Sequence, residues 1–278
     1  MTLHQVPVAN KDKVIIVGAG IGGLASSLRL SHLGYDVEVI ERANSAGGKL
    51  RTITGSTGEI DIGPTVLTLL PIFQKLFKSV GEDIFEHIDL VRQKIIARHW
   101  WPDGTSLDLY DDFETSRDAI MKFSGSGSAI EFEKYFHDTR DLFSCFDLPV
   151  MQNPRPSMLD MNLAVLSNPK ILSKLHPLRT LSSLLNYKFQ DKRLRQLFGR
   201  YATYVGGSPL ESPALLSLVW QAEAQGVWSI KGGMRKLARV IEQLAKARGA
   251  SFNYGTDIKE FNTKDDRVVS ITDTFEKK

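Results

Sequence analysis

The strongest structural signal in the chain lies near its N-terminus, in the run Val14-Ile15-Ile16-Val17-Gly18-Ala19-Gly20-Ile21-Gly22-Gly23. Its four β-branched residues are typical of a strand buried in a parallel sheet. Leu24, Leu28 and Leu33 follow at helical spacing, and Gly34 stands where a helix commonly ends. Residues 37–40, Val-Glu-Val-Ile, predict the next strand. Together these segments predict a β-strand, a helix and a second, parallel strand.

The glycines of this run fit the spacing G-x-G-x-x-G at Gly18, Gly20 and Gly23. The first allows a tight turn, the second lets a pyrophosphate approach the backbone, and the third lets the helix pack against the strand. Phosphate oxygens would then face N–H groups at the start of the helix, where the helix dipole favours negative charge. Glu41 follows the second strand, where a carboxylate accepts hydrogen bonds from a ribose. We therefore predict a dinucleotide site, with an ordinary glycine turn as the alternative.

Basic residues and two further glycines extend the predicted site. Arg42 and Lys49 can offset phosphate charge, and Gly47-Gly48 lets the backbone approach a ligand. A merely flexible loop is the alternative for this glycine pair. The dinucleotide fingerprint occurs once in the sequence, which argues against a reductase that binds two dinucleotides.

The predicted secondary structure changes twice along the rest of the chain. Residues 95–110 predict a hairpin that turns at Pro102-Asp103-Gly104. Residues 113–223 have mostly helical patterns interrupted by prolines, and the Ser-Gly repeat at residues 124–128 predicts a loop. Beyond Gly232 we predict a helix, a strand and a second hairpin, which return the chain to α/β character.

These patterns predict an α/β protein. Residues 1–70 and 226–278 would form two parts of a Rossmann-like domain with a parallel sheet, and the second part would be incomplete. Residues 71–225 would form an inserted substrate domain that combines a mixed sheet with helices.

Composition limits the classes of function. The 278 residues are 42% hydrophobic and 24% charged, as in globular proteins, and a formal net charge of +3 is too small to argue for nucleic acid binding. A single cysteine, Cys145, excludes an internal disulfide framework and fits a reducing compartment. The six histidines lack metal-ligand spacing, so no metal is predicted. The polar N-terminus predicts no signal peptide, and the absence of long apolar runs predicts no membrane span, which together favour a cytoplasmic location.

The charge is unevenly distributed along the chain. Residues 155–200 contain nine basic and two acidic residues, interleaved with leucines. Basic amphipathic helices of this kind lie at anionic membrane surfaces, such as the inner face of the cell membrane. A solvated helical face is the alternative.

Several segments resemble one group of proteins. Residues 14–51 resemble the N-terminal segment of the FAD-dependent amine oxidase and carotenoid desaturase superfamily. Residues 60–68, 99–104, 197–209 and 220–223 are similar to the bacterial phytoene-desaturase type of carotenoid desaturase. Within that type they are most similar to the 1-hydroxycarotenoid 3,4-desaturases, also called methoxyneurosporene desaturases. Family members are roughly twice as long, so the resemblance implies an N-terminal half that lacks the glycine-rich C-terminal segment closing over the flavin.

The resemblance implies FAD as the cofactor and assigns residues to it. Gly63, Pro64 and Thr65 would lie near the isoalloxazine ring, with an ordinary turn as the alternative. The backbone of Ile258 would contact adenine, with an ordinary sheet position as the alternative. The adenosine diphosphate part would be held by Gly18, Gly20, Gly22, Gly23, Glu41, Arg42, Gly48 and Lys49.

The reaction implied by the resemblance inserts double bonds into an acyclic carotenoid by hydride transfer to flavin. No catalytic residue is predicted. His99 is expected to pack in the hairpin, and Glu223 to have a surface or capping role, with acid–base chemistry as the alternative. Aromatic candidates for lining an apolar tunnel, with plain core packing as the alternative, are Tyr201, Tyr204, Trp220 and Trp228.

Two other functions share parts of this pattern. Another flavin oxidase of the superfamily, acting on an amine or a porphyrinogen, would share the FAD segment but not residues 199–209. A non-enzymatic lipid-binding module like the GDP-dissociation inhibitors would share the fold. Gly18, Gly20, Gly23 and Glu41 argue against this second alternative, because such a module makes no use of flavin.

Overall fold

The computed structural model describes residues 13–56 and 58–273. The chain divides into two compact units: unit 1 runs up to Val91 and resumes at Trp228, and unit 2 spans Arg92–Val227. The polar N-terminal segment and residues 274–278 of the predicted third segment lie outside the described residues. The assignment of residues 1–70, 71–225 and 226–278 to cofactor-binding and substrate domains stays a prediction.

The strands and helices are numbered in chain order. The strands are β1 (Lys13–Val17), β2 (Asp36–Glu41), β3 (Thr52–Gly55), β4 (Gly58–Asp61), β5 (Leu90–Arg92), β6 (Ile95–Trp100), β7 (Ser106–Tyr110), β8 (Trp228–Ile230), β9 (Ser251–Tyr254), β10 (Ile258–Lys264) and β11 (Arg267–Asp273). The α-helices are α1 (Ile21–His32), α2 (Leu70–Lys78), α3 (Ile84–His87), α4 (Phe113–Phe146), α5 (Met158–Ser167), α6 (Leu172–Leu175), α7 (Leu181–Lys188), α8 (Lys192–Gly199), α9 (Gln221–Ala224) and α10 (Arg235–Ala247). A π-helical turn covers Asp147–Met151, and 3₁₀ helices cover Pro169–Ile171, Arg200–Val205 and Ala214–Trp220.

Unit 1 is built on a parallel sheet in the order β1-β2-β9. The central strand β2 buries Val37 and Val39 completely. Helix α1 connects β1 to β2, buries Leu24 and Leu28, and packs against α10. The predicted strand–helix–strand unit and its Rossmann-like α/β character are therefore confirmed.

Strand β1 lies at one edge of this sheet. Among residues 13–56 and 58–273, no strand pairs with its outer side. Ile15 and Val17 are exposed, and they alternate with the partly buried Val14 and Ile16. A parallel strand is fully buried only when it has neighbours on both sides and cover on both faces. The prediction that β1 is a buried strand is therefore wrong.

Further two-stranded sheets complete unit 1. Strands β3 and β4 form an antiparallel hairpin, and β5 pairs with β8. Strands β10 and β11 form the predicted C-terminal hairpin. This hairpin turns at Asp265 and Asp266, whose φ angles of 51° and 58° are those that a two-residue hairpin turn requires.

Unit 2 joins a β-hairpin to a mostly helical body. Strands β6 and β7 are antiparallel, as predicted, and form a sheet of two strands rather than the expected mixed sheet. The path of α4 breaks at Gly125, where φ is 89° and ψ is 170°. The loop predicted at residues 124–128 is wrong, because the helix resumes directly after this one residue.

The core of unit 2 is strongly aromatic. Tyr135, Phe189 and Phe198 are buried together, and the rings of Phe189 and Phe198 stack with centroids 5.2 Å apart. Phe132 and Trp220 pack into the same cluster. Within residues 13–56 and 58–273, no helix combines the length and the apolar character needed to cross a bilayer.

Candidate functional site

The glycine turn between β1 and α1 has the geometry that its sequence predicts. Gly18 has a φ of 97°, and its N–H donates to the carbonyl of Ile40 at 2.7 Å, which ties the turn to β2. A Cβ atom on Gly23 would lie 2.0 Å from the carbonyl oxygen of Gly18, so a side chain is excluded there. A Cβ atom on Gly20 or Gly22 would meet no heavy atom within 4 Å. The backbone at the start of α1 is therefore open to a ligand.

Glu41 connects the glycine turn to the end of β2. Its side chain is 9% exposed, and Oε2 accepts a hydrogen bond of 2.6 Å from the N–H of Ala19. Oε1 accepts one of 2.8 Å from the N–H of Ala43. A carboxylate offers about four acceptor positions, so the two oxygens keep capacity for hydroxyl donors.

The second glycine pair packs directly against the glycine turn. The N–H of Gly47 donates to the carbonyl of Ala19 at 2.9 Å. A Cβ atom on Gly48 would lie 3.0 Å from the Cα of Gly20. The structure thus brings Gly48 beside the residues of the first motif.

A cavity of about 540 Å³ opens beside Glu41. Among residues 13–56 and 58–273, the cavity-lining Arg42, Lys49 and Arg51 form no ion pair. Three uncompensated positive charges and open backbone N–H groups favour a phosphate-bearing ligand. The donors of this site therefore suit a dinucleotide such as FAD. Of the predicted glycines, Gly48 lines the cavity, and Gly18, Gly20, Gly22 and Gly23 do not. The lining residues are Glu41, Arg42, Ala43, Ser45, Ala46, Gly48, Lys49, Leu50, Arg51, Thr52, Ile62 and Arg235.

Arg235 is a cavity residue that sequence reasoning missed. Its guanidinium donates to Thr52 Oγ1 at 2.8 Å and to Ser45 Oγ at 2.9 Å. The preceding Gly232 and Gly233 have φ angles of 93° and 87°, which a turn into α10 requires. Two adjacent glycines before a helix were the sequence signal that could have identified this residue.

The other predicted cofactor residues lie between β4 and α2 and at the start of β10. A Cβ atom on Gly63 would lie 1.9 Å from the carbonyl oxygen of Lys49, so Gly63 packs on that backbone. Pro64 and Thr65 are exposed and do not line the cavity. Ile258 begins β10, two residues after Thr256, whose N–H donates to the carbonyl of Glu41 at 3.0 Å.

Unit 2 contains a separate polar cluster around Glu223, which is 6% exposed. Its carboxylate accepts hydrogen bonds from Arg200 Nη2 at 2.6 Å, from Tyr201 Oη at 2.7 Å and from Tyr204 Oη. The expected surface role of Glu223 is therefore wrong. Burial, and secondarily the charge of Arg200, lowers the pKa of His99 to about 4.

Three of the four aromatic tunnel candidates lie together in unit 2. The ring centroid of Tyr201 lies 5.7 Å from that of Tyr204 and 6.5 Å from that of Trp220. Tyr201 is buried, and Trp220 is buried with its indole N–H donating to Thr139 Oγ1 at 2.8 Å. Tyr204 is half-exposed, and Trp228 belongs to unit 1. The indole hydrogen bond and the surrounding rings favour core packing for Trp220.

The profile of one protein family, described as flavin containing amine oxidoreductase, matches residues 21–277. The chain belongs to this family. Its description as flavin containing agrees with FAD as the predicted cofactor.

Relatives within the family agree with the predicted resemblance. The chain is 41% identical to hydroxyneurosporene desaturase of Cereibacter sphaeroides over 93% of its length and 52% of that protein. It is 42% identical to hydroxyneurosporene desaturase of Rhodobacter capsulatus over 94% of its length and 53% of that protein. The resemblance to carotenoid desaturases is confirmed. The chain spans about half the length of the curated relatives it matches.

Solved structures share the fold at low sequence identity. An oxidoreductase from Methanosarcina mazei is similar with a TM-score of 0.64 and 17% identity, over 94% of this chain and 56% of that one. Rab GDI from Plasmodium falciparum has a TM-score of 0.55 and 14% identity, over 95% of this chain and 63% of that one. These similarities show the fold alone.

Proposed function

We propose that the chain forms the dinucleotide-binding part of an FAD-dependent desaturase that introduces double bonds into an acyclic carotenoid by hydride transfer to flavin. The observation that carries the proposal is the position of Glu41, which is bound to the glycine turn and faces a cavity with uncompensated positive charge. The names of the hydroxyneurosporene desaturases support the substrate class.

Each predicted residue has a part in holding FAD under this proposal. Glu41 accepts the ribose hydroxyls, and Arg42 and Lys49 offset the charge of the pyrophosphate. The backbone of Ile258 contacts adenine. Backbone contacts to the pyrophosphate come from Gly18, Gly20, Gly22, Gly23 and Gly48, and contacts near the isoalloxazine come from Gly63, Pro64 and Thr65.

The division of chemical work follows from this arrangement. FAD supplies the hydride acceptor when bound. The glycine turn and Glu41 fix the position of the adenosine end, so that the reactive end is oriented.

We further propose that unit 2 docks on an anionic membrane surface, from which a carotenoid would be drawn. Helix α5 exposes Met158, Leu159, Leu163 and Leu166, the last of them by 74%. Lys170 lies three residues after the end of the helix. Exposed leucines beside a basic residue are the pattern of a surface that enters the headgroup region.

The proposal is tested by replacing the carboxylate of Glu41 and measuring FAD binding by flavin fluorescence. Glu41→Gln presents an N–H donor where the backbone N–H groups of Ala19 and Ala43 need acceptors, and it weakens the contact to ribose. We expect a loss of FAD affinity of about tenfold to a hundredfold.

Glu38→Gln on the same strand is the matched control, because the Glu38 carboxylate pairs with Lys13 at 2.7 Å and does not line the cavity. It should keep wild-type FAD affinity. Failure of the wild-type chain to bind FAD contradicts the proposal. In the loaded protein without oxygen, an acyclic hydroxycarotenoid should bleach the flavin absorption. Bleaching by an amine or a porphyrinogen alone contradicts the substrate class.

A further inference from the structure

The loop between β2 and β3 carries basic residues of the cavity. It covers residues 42–51 and contains no helix or strand. Its apolar side is fixed, because Ala46 and Leu50 are buried in the core of unit 1. On its polar side, Lys49 and Arg51 line the cavity, and neither forms an ion pair within the described part of the chain. Like charges close in sequence repel each other, so burial of the apolar side alone does not fix the polar side.

Arg235 joins the two ends of the part of the loop that carries these charges. Its Nη1 donates to Thr52 Oγ1 at 2.8 Å, and its Nη2 donates to Ser45 Oγ at 2.9 Å. The two hydroxyls bracket residues 46–51, and both belong to residues that line the cavity. A guanidinium presents its donors in one rigid plane, so this single side chain sets the relative position of both hydroxyls. Because each Oγ accepts from Arg235, its own proton is left for another acceptor, such as a ligand oxygen.

The start of α10 gives Arg235 a rigid base. The N–H of Met234 donates to Asp61 Oδ2 at 2.9 Å, which ties the helix to the end of β4. A Cβ atom on Gly233 would lie 2.9 Å from the same oxygen, so the turn into the helix packs directly on this carboxylate. Further along the helix, Leu237 is buried in the core of unit 1. A group on such an element holds its partners more precisely than a group on a loop does.

A direct contact with the ligand is the alternative role for the same side chain. Arg235 itself lines the cavity, and its Nε is buried without a partner among residues 13–56 and 58–273. Its charge is shared, because Glu59 Oε1 lies 3.8 Å from Arg235 Nη1 and 3.3 Å from Arg239 Nη2. The two hydrogen bonds to Ser45 and Thr52 are the contacts that carry the inference.

We propose that Arg235 is a positioning residue of the dinucleotide site: by bridging Ser45 and Thr52, it holds the loop in the conformation in which its basic residues bind FAD. The inference rests on the proposed function and deepens it by adding a residue that acts through the loop. A loop that is already held in its bound conformation loses less conformational freedom on binding, so the affinity is higher.

The first measurement is the FAD affinity of the full chain, determined by flavin fluorescence. Arg235→Ala should bind FAD at least about tenfold more weakly, which corresponds to about 1.4 kcal/mol. Arg235→Lys keeps the positive charge, but its single Nζ cannot bridge both hydroxyls, so it should show most of the same loss. Arg239→Ala is the matched control, because Arg239 lies one turn further along α10, pairs with the same Glu59 and does not line the cavity. It should keep wild-type affinity.

A double-mutant cycle separates the bridge from a direct contact. Ser45→Ala with Thr52→Val removes both acceptors and should weaken FAD binding as well. Adding Arg235→Ala to this pair should then change the affinity by less than about twofold, because the bridge is already lost. If the separate losses multiply instead, Arg235 contacts the ligand directly and the inference is overturned.

Trypsin tests the loop itself in the chain without FAD. Lys49 and Arg51 are cleavage sites inside the bracketed segment. Cleavage at these two sites should be about tenfold faster in Arg235→Ala and unchanged in Arg239→Ala, because cleavage follows the local opening of the chain. An equal rise at sites throughout unit 1 would indicate a general loss of stability and would overturn the inference.

Unchanged FAD affinity in both variants of Arg235 would overturn the inference and leave the proposed function in place. Failure of the wild-type chain to bind FAD would overturn both. Circular dichroism of each variant identifies any that fails to fold, and the other variant of Arg235 then decides the outcome.

Discussion

At positions 22 and 23, two consecutive glycines of α1 have different surroundings. A Cβ atom on Gly23 would overlap the carbonyl oxygen of Gly18, whereas one on Gly22 would meet nothing within 4 Å. Helix packing therefore requires glycine at position 23. At position 22 the helix itself has no such requirement, so the proposed phosphate contact is the remaining reason for a glycine.

We predict that Gly23→Ala and Gly22→Ala change stability in opposite directions. Gly23→Ala should lower the free energy of unfolding by about 3 kcal/mol or more, because the turn must shift to admit a methyl group. Gly22→Ala should raise it by about 1 kcal/mol, because alanine favours the helix. Urea unfolding checks both values. FAD affinity should fall in both variants, and unchanged affinity in Gly22→Ala would contradict the proposed contact.

The partly buried His99 predicts how the stability of the fold depends on pH. Its pKa is lowered from an ordinary value of 6.5 to about 4, chiefly by burial. The unfolded chain therefore binds a proton below about pH 6.5 that the folded chain refuses until about pH 4, so stability falls as pH decreases across this range.

Between about pH 7 and pH 4, the wild-type chain should lose on the order of 2 kcal/mol more stability than His99→Phe. Urea unfolding at a series of pH values provides the measurement. Subtracting the variant removes the contributions of the other ionisable groups. His137→Phe should keep the wild-type slope, and identical slopes in wild type and His99→Phe would show that this imidazole is not responsible.

The sequence predicts the conformation and place of a residue where these follow from the local sequence pattern. It does not predict them where they follow from contacts between distant segments. The conformation of Gly18 and the place of Glu41 follow from the order of strand, turn and helix. The hydrogen bond of Arg235 to Thr52 and the burial of Glu223 depend on segments far apart in sequence. No periodicity in one segment carries that information.

At the scale of secondary-structure elements, the sequence predicts helices and strands best where the hydrophobic periodicity and the turn residues indicate the same boundaries. The β6–β7 hairpin matches its predicted strands, and α1 ends before Gly34, whose φ is 89°. The Ser-Gly repeat in α4 was misleading because glycine and serine favour loops only on average. Ser128 is buried, and its hydroxyl bonds with that of Ser124 at 2.9 Å, so tertiary packing overrides the local preference.

The leucines of α5 carry the prediction on membrane docking. A combined Leu159→Ser, Leu163→Ser and Leu166→Ser variant should bind vesicles containing anionic lipid at least about tenfold more weakly, because each leucine contributes about 1.5 kcal/mol or more when buried in lipid. Flotation of vesicles in a density gradient is the measurement.

Val268→Ser with Val269→Ser is the control, because both valines are exposed and belong to unit 1, whereas α5 belongs to unit 2. This control should float like the wild type. Lys174 and Lys188 are unsuitable as charge probes, since both pair with Asp138. No flotation of the wild-type chain, or equal flotation of the leucine variant, would count against a docking role for α5.

At the scale of the whole molecule, the two units have separate hydrophobic cores. The core of unit 1 collects residues from both ends of the chain, such as Leu24 and Ile241, and the core of unit 2 collects residues from its middle. This discontinuity was foreseeable from the return of α/β patterns after Gly232. The exact limits at Val91 and Trp228 were not, because the small β5–β8 sheet has no sequence signature.

The outer side of β1 has a consequence for how the protein behaves at high concentration. Among the described residues, no strand pairs with the backbone amides and carbonyls on this side. The exposed side chains of Ile15 and Val17 add apolar surface beside them. Native proteins usually protect such an edge strand with charged residues, with proline or with a segment that covers it. The β1 strands of two copies can pair along this edge. A high protein concentration should therefore favour intermolecular pairing of β1 under conditions in which both hydrophobic cores remain folded.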